Sequence, residues 1–305
     1  MPELPDLTVY LEALRARVLD QVLTGVRRAP AAVALLRTAV PPLGQVHGRR
    51  VLGLSRLGKR LVLALEGELF LVLHLMIAGR LRWAEPAGAA IPGKIGLAAF
   101  DFPAGTLLLT EASAKKRAAL HVVRGSAALE AHDPGGLEPL EMTLEDLDRA
   151  LRRERHTLKR TLTDPTTLAG IGNAYSDEIL HAARLSPTRM SDALTTHELV
   201  RLHAAIVSVL TTWTARLRAE TGAGFPEKVT AFRDGMATHG RFGKPCPVCE
   251  TAIQRIVHGE HETNYCPRCQ TGGKLLADRS LSRLLHADWP KTVDALEARR
   301  QVPRP

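Results

Sequence analysis

The spacing of apolar positions changes character along the chain. Leu7, Leu11, Leu14 and Val18 recur at the spacing of one helix face, and Pro5-Asp6 supplies a start signal. That spacing predicts a helix over residues 6–19. From Arg49 to about Val123 the pattern turns into short apolar runs: Val51–Leu54, Leu61–Leu65 and Leu69–Leu73. Glu66-Gly67 and Pro103-Ala104-Gly105 read as hairpin turns, so this stretch predicts a sheet-rich first domain with the N-terminal helix packed on it. Asp133-Pro134-Gly135-Gly136 reads as a linker. Helical spacing then returns. Thr143 is placed to cap a helix bearing Leu144, Leu147 and Leu151, and Leu199, Leu202, Ile206, Val209, Trp213 and Leu217 form a long amphipathic stripe. Such a stripe is core rather than a ligand surface. Near the end, Leu275, Leu276, Leu281, Leu284 and Leu285 predict a helix that packs back, with no functional reading.

Composition narrows the partners. The 305 residues suffice for two or three domains with a real core. His74 interrupts the longest apolar run, and no charged segment followed by an apolar one opens the chain. Neither a secretory signal nor a membrane span is therefore expected. A cytoplasmic monomer is, nucleoid-associated if bacterial. Lys and Arg number 41 against 32 Asp and Glu, a formal net charge of +9. A basic balance favours a polyanionic partner, most simply nucleic acid, though many basic proteins bind nothing anionic.

All four cysteines lie in one segment, as Cys246-Pro247-Val248-Cys249 and Cys266-Pro267-Arg268-Cys269. Each pair presents two thiolates from one tight turn, and together they complete a tetrahedral zinc site; paired disulfides are the weaker alternative. Four thiolates close the coordination, so the zinc is structural and holds a small hairpin unable to fold alone. Upstream, Gly170-Ile171-Gly172 precedes Asn173 and the start of a helical pattern. This is a phosphate-binding arrangement, with an ordinary turn as the default reading. Lys115-Lys116-Arg117 and the run from Arg152 to Arg160, which includes Lys159, are basic clusters. Such clusters are usually solvated faces, but the second lies beside the glycine loop.

The N-terminus carries the most specific chemistry. Met1 precedes a small residue, so its removal is expected, leaving Pro2 with a secondary amine next to Glu3. An α-amine titrates near pH 8 and is unprotonated far more readily than a lysine. Attack on a sugar carbon gives an iminium, and Glu3 stands ready to move protons. By itself a Met-Pro start is most often an ordinary one.

Four landmarks stand in order: Pro2-Glu3-Leu4-Pro5, Lys59 before a β run, the loop Gly170-Ile171-Gly172-Asn173-Ala174-Tyr175, and the four-cysteine hairpin. In this combination, residues 1 to about 270 resemble the formamidopyrimidine-DNA glycosylase / endonuclease VIII family. The resemblance implies an α+β multidomain protein: an N-terminal β-sandwich with its helix, a helix–two-turn–helix domain and a C-terminal zinc hairpin. It places the domains at 1–130, 131–235 and 236–270, with 271–305 an extension of unknown role. It implies a DNA glycosylase and abasic-site lyase acting on damaged DNA, with Pro2 as nucleophile, Glu3 as general acid/base and Lys59 assisting phosphate binding and elimination. Asn173 and its neighbouring amides hold a backbone phosphate, and Lys159 lies near the DNA. Ile77, Lys116 and Arg117 match the positions of a methionine, an arginine and a phenylalanine that fill the void left by a flipped base. Cys246, Cys249, Cys266 and Cys269 hold one zinc.

The chain departs from the family pattern in several places. His261 stands where the zinc hairpin usually carries an arginine, and Glu260 and Glu262 flank it. Asp6 replaces a frequent glutamate, Lys94 falls near a frequent histidine, and Gly222–Phe232, where a lesion-covering loop would lie, is short. Two other readings remain at this point. One is a non-catalytic damage-binding protein on the same scaffold, which has no need of an amine beside a carboxyl group. The other is an N-terminal-proline isomerase of small molecules, which has no need of the zinc hairpin or phosphate loop.

Overall fold

A computed structural model describes residues 1–259, 261–277 and 289–301. The chain forms two compact units: Met1–Gly136 with Thr211–Ala231, and Leu137–Leu210 with Phe232 onward.

The first unit is a β-sandwich. One sheet has the order β1-β4-β5-β6-β10-β3, formed by β1 (Val22–Leu23), β3 (Leu36–Val40), β4 (Arg49–Leu57), β5 (Arg60–Leu65), β6 (Leu69–His74) and β10 (Ala119–Arg124). The other runs β2-β8-β9-β7, from β2 (Gly25–Arg28), β7 (Gly79–Ala84), β8 (Gly96–Phe102) and β9 (Gly105–Glu111). The β3–β10 pair is parallel, and the other pairs are antiparallel. The predicted turns at Glu66-Gly67 and Pro103-Ala104 join β5 to β6 and β8 to β9.

The apolar runs of β5 and β6 have a physical reason. Leu61, Leu63, Leu65, Leu69, Leu71 and Leu73 point into the shared core, where Leu81, Phe100, Phe102, Leu107 and Leu109 meet them from the other sheet. The alternate positions Val62, Val72 and Val123 are also buried, under Ala128 and Leu129 of helix α2 (Ser126–Glu130). Both faces of these strands are covered, so their sequence reads as continuous rather than alternating.

The N-terminal helix α1 runs from Leu4 to Val18, starting two residues before the expected position. Glu3 rather than Asp6 is its cap: the Glu3 N–H donates to Asp6 Oδ2 at 2.9 Å, in a reciprocal capping box. Pro5 falls in the first turn, where a helix needs no donor. Leu7, Tyr10, Leu11, Leu14 and Val18 bury into the sandwich core. The Leu81 N–H donates to Tyr10 Oη at 3.3 Å, fixing the helix against β7.

The second unit is helical around a small hairpin. It contains α3 (Leu144–Arg152), α4 (Leu158–Thr163), α5 (Asn173–Ala182) and the first part of α6 (Thr196–Thr221). Thr143 caps α3 as expected, with Oγ1 accepting from the Asp146 N–H at 3.1 Å. On α6, Leu210 is fully buried where Val209 had been expected, because the stripe turns with the 3.6-residue period. Strands β11 (Gln254–His258) and β12 (His261–Tyr265) form the hairpin, followed by α7 (Pro267–Thr271).

The tail differs from the expected helix at Leu275 and Leu276. Their N–H groups donate to Lys291 O at 2.9 Å and Tyr265 Oη at 2.8 Å, which leaves no helical partners for them. Leu281, Leu284 and Leu285 lie outside the described residues. Helix α8 (Val293–Gln301) follows. Among the described residues no helix is long and apolar enough to cross a membrane.

Candidate active site and zinc centre

Local chemistry brings the N-terminus, a hairpin tip and a tight turn together in the first unit. Pro2 and Glu3 are buried, Glu3 to 3% exposure. Burial pushes the chain's α-amine, here on Met1, below its ordinary value. Glu3 and Asp6 oppose that shift, while Arg80 and Lys59 reinforce it. The Met1 amine thus has two carboxylates and two cations within electrostatic reach and is biased toward its unprotonated form.

Lys59 is presented by the two-residue loop Gly58-Lys59 between β4 and β5. Gly58 has φ +56, the positive value that the first position of a type II′ hairpin turn requires. Ile77 lies in the turn between β6 and β7 and is 54% exposed, an apolar side chain held in water. That turn is tight because Gly79 has no side chain: a Cβ there would meet Leu75 O at 2.2 Å. Arg80 braces it, donating from Nη1 to Ile77 O at 3.1 Å and from Nε to Val229 O at 2.5 Å.

Val229 belongs to the stretch Gly222–Ala231, which packs onto the sandwich. Arg17 Nη2 donates to Ala223 O at 3.0 Å, and Phe225 lies 5.7 Å from the Tyr10 ring. Lys116 and Arg117 occupy the β9–β10 loop. Buried Glu111 shapes that loop by accepting the Arg117 and Ala118 N–H groups, and Lys116 Nζ donates to the Glu111 and Lys94 carbonyls. Arg117 is exposed.

His74, noted in the sequence only as a break in an apolar run, lies opposite Arg60 on β5. Burial first, then Arg60, Lys59 and His121, pushes its pKa down to about 4. His121 is also pushed to about 4, by burial and then by His132, Arg60 and Arg37. In the unfolded chain histidine titrates near 6.5. Between those values the unfolded chain binds more protons than the folded one. Stability is therefore full above about pH 6.5 and is lost as the pH falls toward 4. Each histidine contributes a slope of at most about 1.4 kcal/mol per pH unit. Urea unfolding at pH 7, 6 and 5 should show falling stability, and His74→Gln should flatten the dependence. An unchanged slope in that variant would contradict a neutral, buried His74.

In the second unit, Gly172 precedes α5, which opens at Asn173, and Gly170 has φ +79. The Asn173 side chain donates from Nδ2 to Glu262 O of β12 at 2.9 Å. Lys159 is turned inward, its side chain 13% exposed, and donates to Asn173 O, Ser176 Oγ and Asp177 Oδ1 at 2.7, 2.8 and 2.5 Å. Asp177 is fully buried and also accepts from His239 Nδ1 at 2.8 Å and the Asn264 N–H at 3.2 Å. In this geometry Lys159 braces the start of α5. Its long-range partner Asp177 carried no signal in the sequence. His261 pairs with His258 at the turn of the hairpin, and its side chain, like Glu260, is outside the described residues.

The four cysteine sulfurs lie within 4.8 Å of one another. Cys249–Cys266 and Cys249–Cys269 are 3.4 Å apart, and Cys246–Cys269 is 3.9 Å. Those separations are too long for disulfides. They suit a zinc ion with sulfurs at about 2.3 Å in a tetrahedron. Without metal, burial pushes Cys269 up to about 11 and Cys266 upward as well. Burial also opposes the Cys249 thiolate, but hydrogen bonds from Thr251, Cys266 and Cys269 outweigh it and bring that thiol to about 7. A dication that favours thiolates completes this donor set.

Comparison with known proteins settles the family. Sequence profiles match at residues 1–121 (formamidopyrimidine-DNA glycosylase N-terminal domain), 136–220 (formamidopyrimidine-DNA glycosylase H2TH domain) and 243–272 (zinc finger found in FPG and IleRS). The formamidopyrimidine-DNA glycosylase of Chloroflexus aggregans is 32% identical over 284 residues, covering 88% of this chain and 98% of that one. The chain belongs to the formamidopyrimidine-DNA glycosylase family. A Mycobacterium tuberculosis protein described as an uncharacterised formamidopyrimidine-DNA glycosylase-like protein is 41% identical over 150 residues, 49% of this chain and 93% of its own. The crystal structure of MutM (Fpg) from Thermus thermophilus is 32% identical, with a TM-score of 0.73 and coverage of 88% and 98%. A Lactococcus lactis Fpg in complex with abasic-site DNA shares the fold at 23% identity, with a TM-score of 0.75 and coverage of 88% and 99%. In this family member the sandwich, the helical domain and one structural zinc on Cys246, Cys249, Cys266 and Cys269 agree with the sequence reading.

Proposed function

We propose that this protein is a DNA glycosylase of base excision repair that also nicks the abasic strand, acting through a Schiff base on Pro2. The observation that carries the reading is the burial of Pro2 and Glu3 where Arg80 and Lys59 act on the terminal amine. Its relatives bear the name of DNA glycosylases, and the Lactococcus lactis neighbour was solved on abasic-site DNA.

The chemistry follows from the groups present. The Pro2 nitrogen attacks C1′ of the damaged nucleotide, and the C1′–N glycosidic bond breaks with its electron pair leaving on the base. Glu3 takes the N–H proton from the attacking Pro2, which assists departure of the base as an anion. It passes that proton to O4′ as the C1′–O4′ bond opens, leaving an iminium between the nitrogen and C1′. The iminium acidifies C2′–H. Loss of that proton and of the 3′ phosphate is β-elimination, and water then releases the protein. Lys59 stabilises the departing phosphate. Asn173 and the opening amides of α5 offer a phosphate cradle. Ile77, Lys116 and Arg117 are the candidates to fill the space of the flipped base, whose extrusion costs a few kcal/mol. Lys159 acts by bracing the cradle.

A panel of single-lesion oligonucleotides with borohydride tests the reading, since a trapped adduct reports chemistry and substrate together. Failure to trap or nick any lesion or abasic strand would leave a damage-binding protein in its place.

His261 bears on the product. Histidine is largely neutral at pH 7.5 and lacks the bidentate fork with which arginine grips a phosphate. The nicked strand should therefore end mainly in a 3′-unsaturated aldehyde rather than a 3′-phosphate. His261→Arg should raise the 3′-phosphate fraction on a gel resolving the two ends. Predominant 3′-phosphate from the unaltered protein would assign that second elimination to another group, such as Arg255 or Arg117.

A further inference from the structure

One face of α5 carries Asn173, Asp177, Glu178 and His181, at spacings that align side chains along a helix. Each meets the segment that builds the zinc module. Asn173 and Asp177 hold β12 at Glu262 O and Asn264 N. Glu178 accepts the N–H groups of Ala237, Thr238 and His239 at 2.6, 2.9 and 2.9 Å. The fourth contact reaches the metal ligands themselves. The Nε2 atom of His181 lies 3.3 Å from Cys246 Sγ, with both residues buried.

A zinc ion bound by four thiolates leaves net negative charge on the sulfurs. Hydrogen bonds donated to them disperse it and fix the ligands in place. The Val248 and Cys269 N–H groups do so from inside the knuckles, at 3.5 and 3.4 Å. His181 is placed to do so from the helical part. A zinc-bound thiolate has no proton to give, so the proton in this contact belongs to Nε2.

We propose that His181 is a positioning residue for the zinc, its Nε2–H donating to the metal-bound sulfur of Cys246 and tying metal retention to helix α5. Neither the glycine loop nor the cysteine motif reveals this, and the role is independent of the reaction at Pro2.

The test compares two isosteres. His181→Gln keeps an N–H donor near the position of Nε2, and His181→Met keeps the volume without a donor. Zinc affinity, measured by competition with a chromophoric chelator on the full chain, should fall about 10–100-fold for the methionine variant and much less for glutamine. With cobalt in place of zinc, the sulfur-to-metal charge-transfer band should move to lower energy in the methionine variant, because a sulfur without a hydrogen bond gives up its electron more easily. In the glutamine variant it should stay near the unaltered protein's position. Packing alone would not separate the two. Equal affinities and equal bands for glutamine and methionine would overturn the proposal, whether both match the unaltered protein or both fall below it.

Discussion

Borohydride added to this protein and a duplex bearing one abasic site should leave a covalent protein–DNA adduct, and blocking the Pro2 amine should abolish it. An N-terminal tag that resists removal is the cleanest block, because it leaves every side chain in place. Pro2→Gly retains a primary amine and should diminish trapping rather than erase it. Efficient trapping by the blocked protein would remove Pro2 from the mechanism. Glu3→Gln separates the two stages. Proton transfer by a positioned side chain is worth about 10²–10⁴-fold, so excision of a damaged base should fall by that order. Cleavage of a preformed abasic site should fall much less, since the base has already gone. Glu3 also takes part in the capping box of α1, but glutamine keeps an acceptor oxygen for the Asp6 N–H. The stability change should therefore stay below about 1 kcal/mol. Equal losses on both substrates would assign Glu3 to positioning instead of base departure.

Replacing Cys266 with serine should cost the protein its zinc and the zinc hairpin its fold. Zinc contributes about 10–16 kcal/mol to the folding of isolated zinc-finger peptides. A two-stranded hairpin is at best marginal alone, and the β11–β12 strands are five residues each. The buried cluster beneath it is small: Cys246, Ile253 and Cys266, flanked by Cys249 and Cys269. Metal analysis of the unaltered protein, purified without added zinc, should find about one ion per chain. The Cys266→Ser protein should hold far less, and hydrogen exchange should accelerate across 244–271. The sandwich has its own core and should keep its protection. DNA binding should weaken, while the covalent step at Pro2 persists at high protein concentration. A metal-free protein with a protected hairpin would contradict the structural role.

The sequence by itself determined whatever depends on neighbours a few residues apart. Helix α1, the β5–β6 and β8–β9 hairpins, the Thr143 cap and the cysteine pairs were all legible for this reason. Each rests on side-chain period, turn chemistry or ligand spacing, which act within one turn of helix or one hairpin. Even there the boundary of α1 was misplaced, because Glu3 and Asp6 cap reciprocally and either reads as a start. Only the tertiary structure decided which charges face inward. Lys159 was legible as one of a run of cations, but its ammonium is spent on Asp177, eighteen positions away. His74 looked like an interruption until β5 and β6 set it against Arg60. Arg80 and Val229 lie 149 positions apart, and no local pattern joins them. The contact of His181 with Cys246 spans 65 positions and comes from a helix whose period speaks only of burial. Hydrogen bonds and desolvation depend on atoms within a few ångströms, and distance along the chain is silent about those once it folds back on itself.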